Sequence, residues 1–561
     1  MAPVNPAGPP IDPQIPDAQQ TAEAKDKVDD ILDPGVEPND YDPDTDRITQ
    51  PLPGEPYASI ETRGLAEMRI AKLAEALEDA DPLESQAIMT ELLRRDPDAL
   101  ESWLNPSYLE GKVDGQLISG EALKDISISI AAAYNNDPEV AASINDSIDT
   151  LLAGHLAPIN GDGGQNTSAV KAFTDFFSNA AYHPDLREFR ESIATHILDT
   201  HVLGQDGSST VNNAAGVALS LLTVDNANPE SAARVLSKYA TDGGDVTQLR
   251  DILQRAQISI SSGESDTDRN IIAEVVNMAS QAGYSYEGRL TPAERSDYNA
   301  DLVRALGELH SDVENSPELQ QAVADLFKTD GAGILERLTS ASAEHDTNTS
   351  IDGKTKNLAE ADAERLGRLW SATLFSESAS DAVKNDLRTS IADFVEAQNE
   401  ALNSAQTQNE RDRIAGSLGF LIGSIQSIPH QNDFDVEQAE KAREEAFKLI
   451  ADIVAVPLAG KLLKGGSGAF DALIEGATGL DKVALEAMKA VIDKGEDAMI
   501  EAARDAVLGE LSSGGNGSGD LVTATNEVRD TILDQVTADG ADKTILDTAD
   551  RVTSHYDEPG G

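Results

Sequence analysis

Eight histidines and no cysteine limit the metal and nucleophile chemistry open to this chain. Without thiols there are no disulfides, no thiolate catalysis and no cysteine zinc site. His196 and His201 are the histidines closest in sequence. On an α-helix, a spacing of five places two side chains about 140° apart around the axis, whereas a helical zinc pair needs a spacing of four. No HExxH motif occurs. The expected role of every histidine is therefore structural or superficial, with no metal ligands assigned.

The other chemical motifs fail on their own geometry. Gly353-Lys354-Thr355 has the ending of a phosphate-binding loop, but the glycine required five positions before the Gly-Lys pair is Asn348. The expected structure there is a loop between helices. Asp42, Asp44 and Asp46 imitate the first ligands of a calcium loop, yet Arg47 stands where glycine is needed and Pro53 where the bidentate glutamate belongs. Asn160-Gly161-Asp162-Gly163-Gly164-Gln165-Asn166 reads as an interhelical loop, because these are the residues that turns require. Gly465-Gly466-Ser467-Gly468-Ala469 lacks both the final glycine and the preceding strand of a nucleophile elbow. With 100 carboxylates, paired acids arise at any spacing by chance, so none is singled out as a general acid or base. No catalytic or cofactor-binding residue is assigned, and no cofactor is expected.

The elements that would position any site are helices. Ile70, Leu73 and Leu77 recur at steps of three and four, as do Leu186, Phe189, Ile193 and Ile197. Val246, Leu249, Ile252 and Leu253 repeat the pattern, and long alternation of apolar and polar residues is nearly absent. Six prolines share one grammar: Asp81-Pro82, Asp96-Pro97, Asp137-Pro138, Asn228-Pro229, Thr291-Pro292 and Ser316-Pro317. An oxygen-bearing cap satisfies free backbone N–H groups, and the proline gives up a donor that had no partner. The expected fold is all-α, with two irregular multi-helix domains. At 561 residues the chain exceeds what one core supports.

Residues 1–60 hold 12 of the 24 prolines and 13 acidic against 3 basic residues. They are expected to form a disordered acidic arm, with one short helix around Gln19–Leu32. The polar stretch Ser261–Arg269 and the helix-poor Gly283–Arg289 are candidate boundaries. Domain 1 is placed at 61–285 and domain 2 at 286–511. A glycine- and serine-rich linker at 512–520 precedes a short acidic amphipathic tail at 521–561.

Within the second domain, Gly416, Gly419 and Gly423 punctuate an apolar helix over Arg413–Ile428. Each glycine costs a helix roughly 1 kcal/mol relative to alanine, so these three are read as helix-packing residues. Phe447–Leu463 is a second apolar run, broken by Asp452 and Pro457. Its uninterrupted part, Ile453–Gly460, is too short to span about 30 Å of hydrocarbon, so the pair is expected to be buried, without stable membrane insertion.

With 43 basic against 100 acidic residues, the formal net charge is −57. That balance argues against nucleic acid, whose binding rests on lysine and arginine neutralising phosphates. The first residues, Met1-Ala2-Pro3-Val4-Asn5-Pro6, do not form a secretory signal peptide, and no transmembrane helix is expected.

Leu418-Gly419-Phe420-Leu421-Ile422-Gly423-Ser424-Ile425-Gln426, followed by an Ala/Lys/Glu-rich helix, resembles a recurrent stretch in the large helical regions of bacterial polymorphic toxins and related secreted effectors. Asn228–Leu236 and Trp370–Phe375 are similar in style, and the likeness covers roughly 130–500. Those families usually carry a toxin domain after the helical region, where this chain has a linker and a short tail. The resemblance implies export from a bacterial cytoplasm by a signal-peptide-independent system. The implied partners are a secretion apparatus, chaperone or immunity protein. No site residues carry over. The expected function is thus a non-enzymatic helical effector or cargo acting through protein contacts. The alternatives are an intracellular scaffold and, third, a hydrolase with an unrecognised carboxylate site.

Overall fold

A computed structural model describes residues 16, 18–33, 69–70, 72–97, 99, 120–154, 184–205, 209–223, 229–240, 244–261, 270–281, 290–344, 348–351, 354–404, 406–407, 410, 414, 417, 420–421 and 424. The fold is all-α, apart from one short hairpin among the described residues. The chain forms two compact units. Unit 1 contains residues up to Val235 and Asp251–Val275, and unit 2 contains Leu236–Arg250 and the residues from Val276 onward.

Unit 1 begins with α1 (Ala18–Leu32), the short helix expected from the sequence. It packs on α2 (Pro82–Arg95) through Ala24, Val28 and Ile31. The Asp81 carboxylate accepts from the N–H groups of Leu83 and Glu84, both at 2.9 Å, which caps α2 ahead of Pro82. The helices α3 (Gly120–Asn136) and α4 (Pro138–Gly154) are divided by Asp137, whose carboxylate caps α4 at the Glu139 and Val140 N–H groups. The next helix, α5 (Pro184–Ile197), runs into a π-helical turn, Leu198–Val202. Pro184 is the first residue of its helix, as are Pro82, Pro138, Pro229, Pro292 and Pro317 of theirs.

The following helix, α6 (Ser209–Thr223), buries Val211, Ala214, Ala215, Val217, Ala218, Leu219, Leu221 and Leu222. These residues occupy all sides of the helix, which makes α6 the centre of the unit. It packs against α4, α5 and the π turn. The periodic residues Leu186, Phe189, Ile193 and Ile197 of α5 are completely buried, as their spacing predicts. After α7 (Pro229–Leu236) come α8 (Thr247–Ser261) and α9 (Ile271–Gln281).

In unit 2, α10 (Pro292–Glu308) starts with a reciprocal cap. Glu294 donates its backbone N–H to Thr291 Oγ1, and its side chain accepts from the Thr291 N–H. A short α11 (His310–Glu314) leads to α12 (Pro317–Glu344), which kinks at Asp330 (φ −138°, ψ 21°). There the Asp330 carboxylate accepts from Ser296 Oγ at 3.1 Å and Asn299 Nδ2 at 2.8 Å. The hairpin β1 (Asn348–Ile351) and β2 (Lys354–Asn357) is antiparallel, with Thr349 paired to Lys356. It is followed by α13 (Leu358–Ala372) and α14 (Asp381–Ser404).

The core of unit 2 centres on Trp370, fully buried and 5.0 Å from the Phe327 ring. Its indole N–H donates to Ser424 Oγ at 3.3 Å. Ile414, Ser417, Phe420, Leu421 and Ser424 are helical and buried. They recur at steps of three and four, so one face of the expected apolar helix lies in the core. Gly416, Gly419 and Gly423 lie outside the described residues, as do Phe447–Leu463, both candidate boundaries beyond Ser261, the linker and the tail. Among the described residues, no helix is long and apolar enough to cross a membrane.

Candidate functional site

Two polar clusters stand out, one in each unit. The first joins Asp149 of α4 to His196 of α5 and His201 of the π turn. Nε2 of His196 lies 2.8 Å from Asp149 Oδ1, and Nε2 of His201 lies 2.7 Å from the same oxygen. The imidazole centroids are 6.4 Å apart. One ligand atom from each of the three residues falls within 4.8 Å of the others. The histidine side chains are each 23% exposed and the aspartate 33%, so water reaches the cluster from one side.

This corrects the expectation that His196 and His201 point 140° apart. That angle assumes an α-helix, and the chain leaves the α-helix between them. The Leu203 N–H donates to the Leu198 carbonyl at 3.0 Å, an i to i+5 bond. With one extra residue in the turn, positions five apart take the relation that positions four apart have in an α-helix. The two imidazoles therefore share a face. The turn ends at Leu203, which is extended (φ −72°, ψ 132°), and Gly204 follows in the left-handed region at φ +71°. The Arg255 guanidinium donates to the carbonyls of Val202 and Gln205, at 3.3 and 3.1 Å. It thereby satisfies the Val202 carbonyl, which the end of the helix leaves without an intrahelical donor, and ties down the chain that follows at Gln205. On the inner side, Ile148 and Leu152 of α4 and Ile197, Leu198 and Val202 are buried, which fixes the backbone carrying all three ligand atoms.

The second cluster lies between α10 and α13, with Arg250 of α8 beside it. The Arg304 guanidinium donates to both carboxylate oxygens of Asp362, with the shortest contact 2.7 Å, and to Asp301 Oδ1 at 2.7 Å. Arg365 donates to Glu308 Oε1 at 2.8 Å, to Asp362 Oδ1 at 3.3 Å and to the Gly244 carbonyl at 3.0 Å. Arg250 donates to Glu308 Oε2 at 2.8 Å. The side chains of Asp362, Arg365 and Glu308 are 2% exposed or less.

Two glycines make the close approach possible. A Cβ on Gly307 would lie 2.3 Å from the Arg365 carbonyl oxygen, and one on Gly244 would lie 2.4 Å from Leu358 Cδ1. Gly244 also has φ +69°. Burial raises the Asp301 carboxyl to about 6, against the lowering effect of Arg304. Burial also lowers Arg304, but Asp362 and Asp301 outweigh it and leave the guanidinium above its usual range. Burial pushes the Tyr298 hydroxyl upward, with Asp301 acting in the same direction.

The chemical motifs of the sequence fare unevenly. Lys354 and Thr355 lie in strand β2 rather than in an interhelical loop. A phosphate-binding loop places that pair at the start of a helix, so the motif has the wrong setting as well as the wrong spacing. Asp42, Asp44, Asp46, Asn160–Asn166 and Gly465–Ala469 lie outside the described residues. No sequence motif marks Asp149 as a partner of His196, because 47 residues separate them. The Arg–carboxylate cluster is likewise unmarked, because its pairs between helices lie 57 and 58 residues apart.

No family model matches the chain, and no curated protein matches it. Among solved structures, a crystal structure of an engineered protein is similar at 15% identity and TM-score 0.18, covering 80% of this chain and 99% of its own. A crystal complex of SYS-1/POP-1 aligns at 10% identity and TM-score 0.19, over 98% of this chain and 97% of that one. A homology model of the full-length AP-3 complex aligns at 12% identity and TM-score 0.12, over 89% and 94%.

Proposed function

We propose that this protein is a helical interaction protein, carried as cargo or effector by a bacterial secretion or injection system and acting through contacts with other proteins. The export part of this reading rests on the resemblance of Leu418–Gln426, and the observation that supports the interaction part is an asymmetry in which charges folding removes from the surface. Among the described residues, Arg187, Arg190, Arg304, Arg365 and Arg368 are buried, whereas the acids buried as whole residues are Glu230 and Asp362. The asymmetry persists when the buried Glu308 side chain is added to the acids. The exposed surface of these residues is therefore more acidic than their composition, in a chain of 100 acids to 43 bases. Such a surface favours a partner with a cationic face and disfavours phosphate backbones. The three arginines of the α10–α13 cluster are engaged by carboxylates within the fold, which suits a scaffold for surfaces more than a reactive centre.

The test is to follow the tagged full chain, and versions lacking 1–15 or 512–561, in the native host. Removing 1–60 would take away α1 and uncover the apolar face of α2, so the shorter deletion is the informative one. The expected result is recovery of the full chain outside the producing cells, with export lost in at least one truncation. Complete retention of the full chain inside the cells would refute the reading.

A further inference from the structure

We propose that Asp149, His196 and His201 form a binding site for one divalent transition-metal ion of the zinc class. Two imidazole nitrogens and a carboxylate oxygen are a donor set suited to a borderline cation, and poorly suited to magnesium or calcium, which take oxygen ligands. Two ligands of a tetrahedral zinc ion at about 2.05 Å stand about 3.3 Å apart. The Nε2–Oδ1 separations of 2.8 and 2.7 Å are close to that, and small side-chain rotations open the space.

Three structural features point to a ligand. The first is convergence: both imidazoles direct Nε2 at the same carboxylate oxygen. The second is the π turn. Such turns are rare, occur often at functional sites, and here have the specific effect of bringing His201 onto the face of His196. The third is support: Arg255 holds the end of the turn through the Val202 carbonyl, and buried aliphatic residues hold its inner side. Three protein ligands leave a coordination position, and the exposed side of the cluster lets water fill it. The bound ion would tie α4 to the π turn.

A surface this acidic binds divalent cations weakly and without specificity, so the experiment must separate that background. The full chain is titrated with Co²⁺ in physiological salt with excess Mg²⁺, and the visible d–d absorption is recorded before competition with Zn²⁺. The expected result is one equivalent of Co²⁺ with the intense bands of four- or five-coordinate nitrogen ligation, displaced by Zn²⁺. His196→Gln and His201→Gln should each weaken Zn²⁺ binding by at least about tenfold. Glu139→Gln, exposed at the start of α4, should leave it unchanged. Only weak octahedral bands, or equal affinity in the histidine variants, would overturn the proposal. If a histidine variant loses helicity, the near-isosteric Asp149→Asn replaces it, and wild-type affinity in that variant would overturn the proposal equally.

Discussion

In unit 1, a single carboxylate at the rim of the core faces two imidazoles. In unit 2, three guanidinium groups and three carboxylates from α8, α10 and α13 interlock, and the central ones are almost fully buried. Both clusters are polar and both cross helix boundaries, yet they are balanced differently. In the unit 2 cluster each of the three guanidinium groups meets at least one carboxylate, and Arg365 also donates to the Gly244 carbonyl. Buried pairs of this kind add little net stability, because desolvation offsets attraction, but they fix how helices align. The unit 1 cluster has one anionic oxygen for two nitrogens and an open side. A closed charge set makes an architectural joint. An undersupplied set on a preformed face leaves room for a ligand.

Breaking the joint should have the largest effect. Asp362→Ala leaves Arg304 without its bidentate partner and removes a contact of Arg365. The expected loss is about 3–5 kcal/mol, read from denaturant unfolding. Gly307→Ala tests the backbone approach itself. The new methyl would meet the Arg365 carbonyl at 2.3 Å, so helix separation should follow, with a loss of about 3 kcal/mol.

Asp301 gives a pH-dependent prediction. Its folded-state pKa of about 6 lies above the ordinary 3.8, so the folded protein holds the proton more tightly than the unfolded chain. Its contribution is therefore most favourable below the unfolded value and is lost as pH rises through about 6. Asp301→Asn should raise stability at pH 7 to 8 by about 2 kcal/mol and flatten the slope between about pH 4 and 6. A variant whose pH profile matches the wild type would contradict the partly buried placement of Asp301 beside Arg304. His196→Gln should have the smallest effect. With chelator present, thermal unfolding should change by less than about 1 kcal/mol, as for other partly exposed pairs.

The helical framework is legible in the sequence because its causes are local. The proline caps at Asp81, Asp137 and Thr291 act within three or four residues, and the buried stripe of α5 follows the helical period. The clusters are not legible, because their causes are long-range. Asp362 meets Arg304 only after α12 and the hairpin return the chain. The histidine pair shows a subtler limit. Its residues and spacing are visible, but the spacing has meaning only for a given helix type. A single extra residue in one turn reverses the conclusion drawn from an α-helix. Nothing in Leu198–Val202 announces that turn: it is held by Arg255, 53 residues along the chain from Val202. The apolar stretch near 418 is legible in part, since Phe420 and Leu421 mark its buried face.

Hydrogen–deuterium exchange on the full chain, with and without Zn²⁺ in the presence of excess Mg²⁺, tests the contrast between the two clusters most directly. Zinc should slow exchange in 138–154 and 184–205, around Asp149, His196 and His201, and leave 292–308 and 358–372 unchanged. Equal protection of both clusters, or no protection of the first, would contradict the division into an open ligand site and a closed architectural joint.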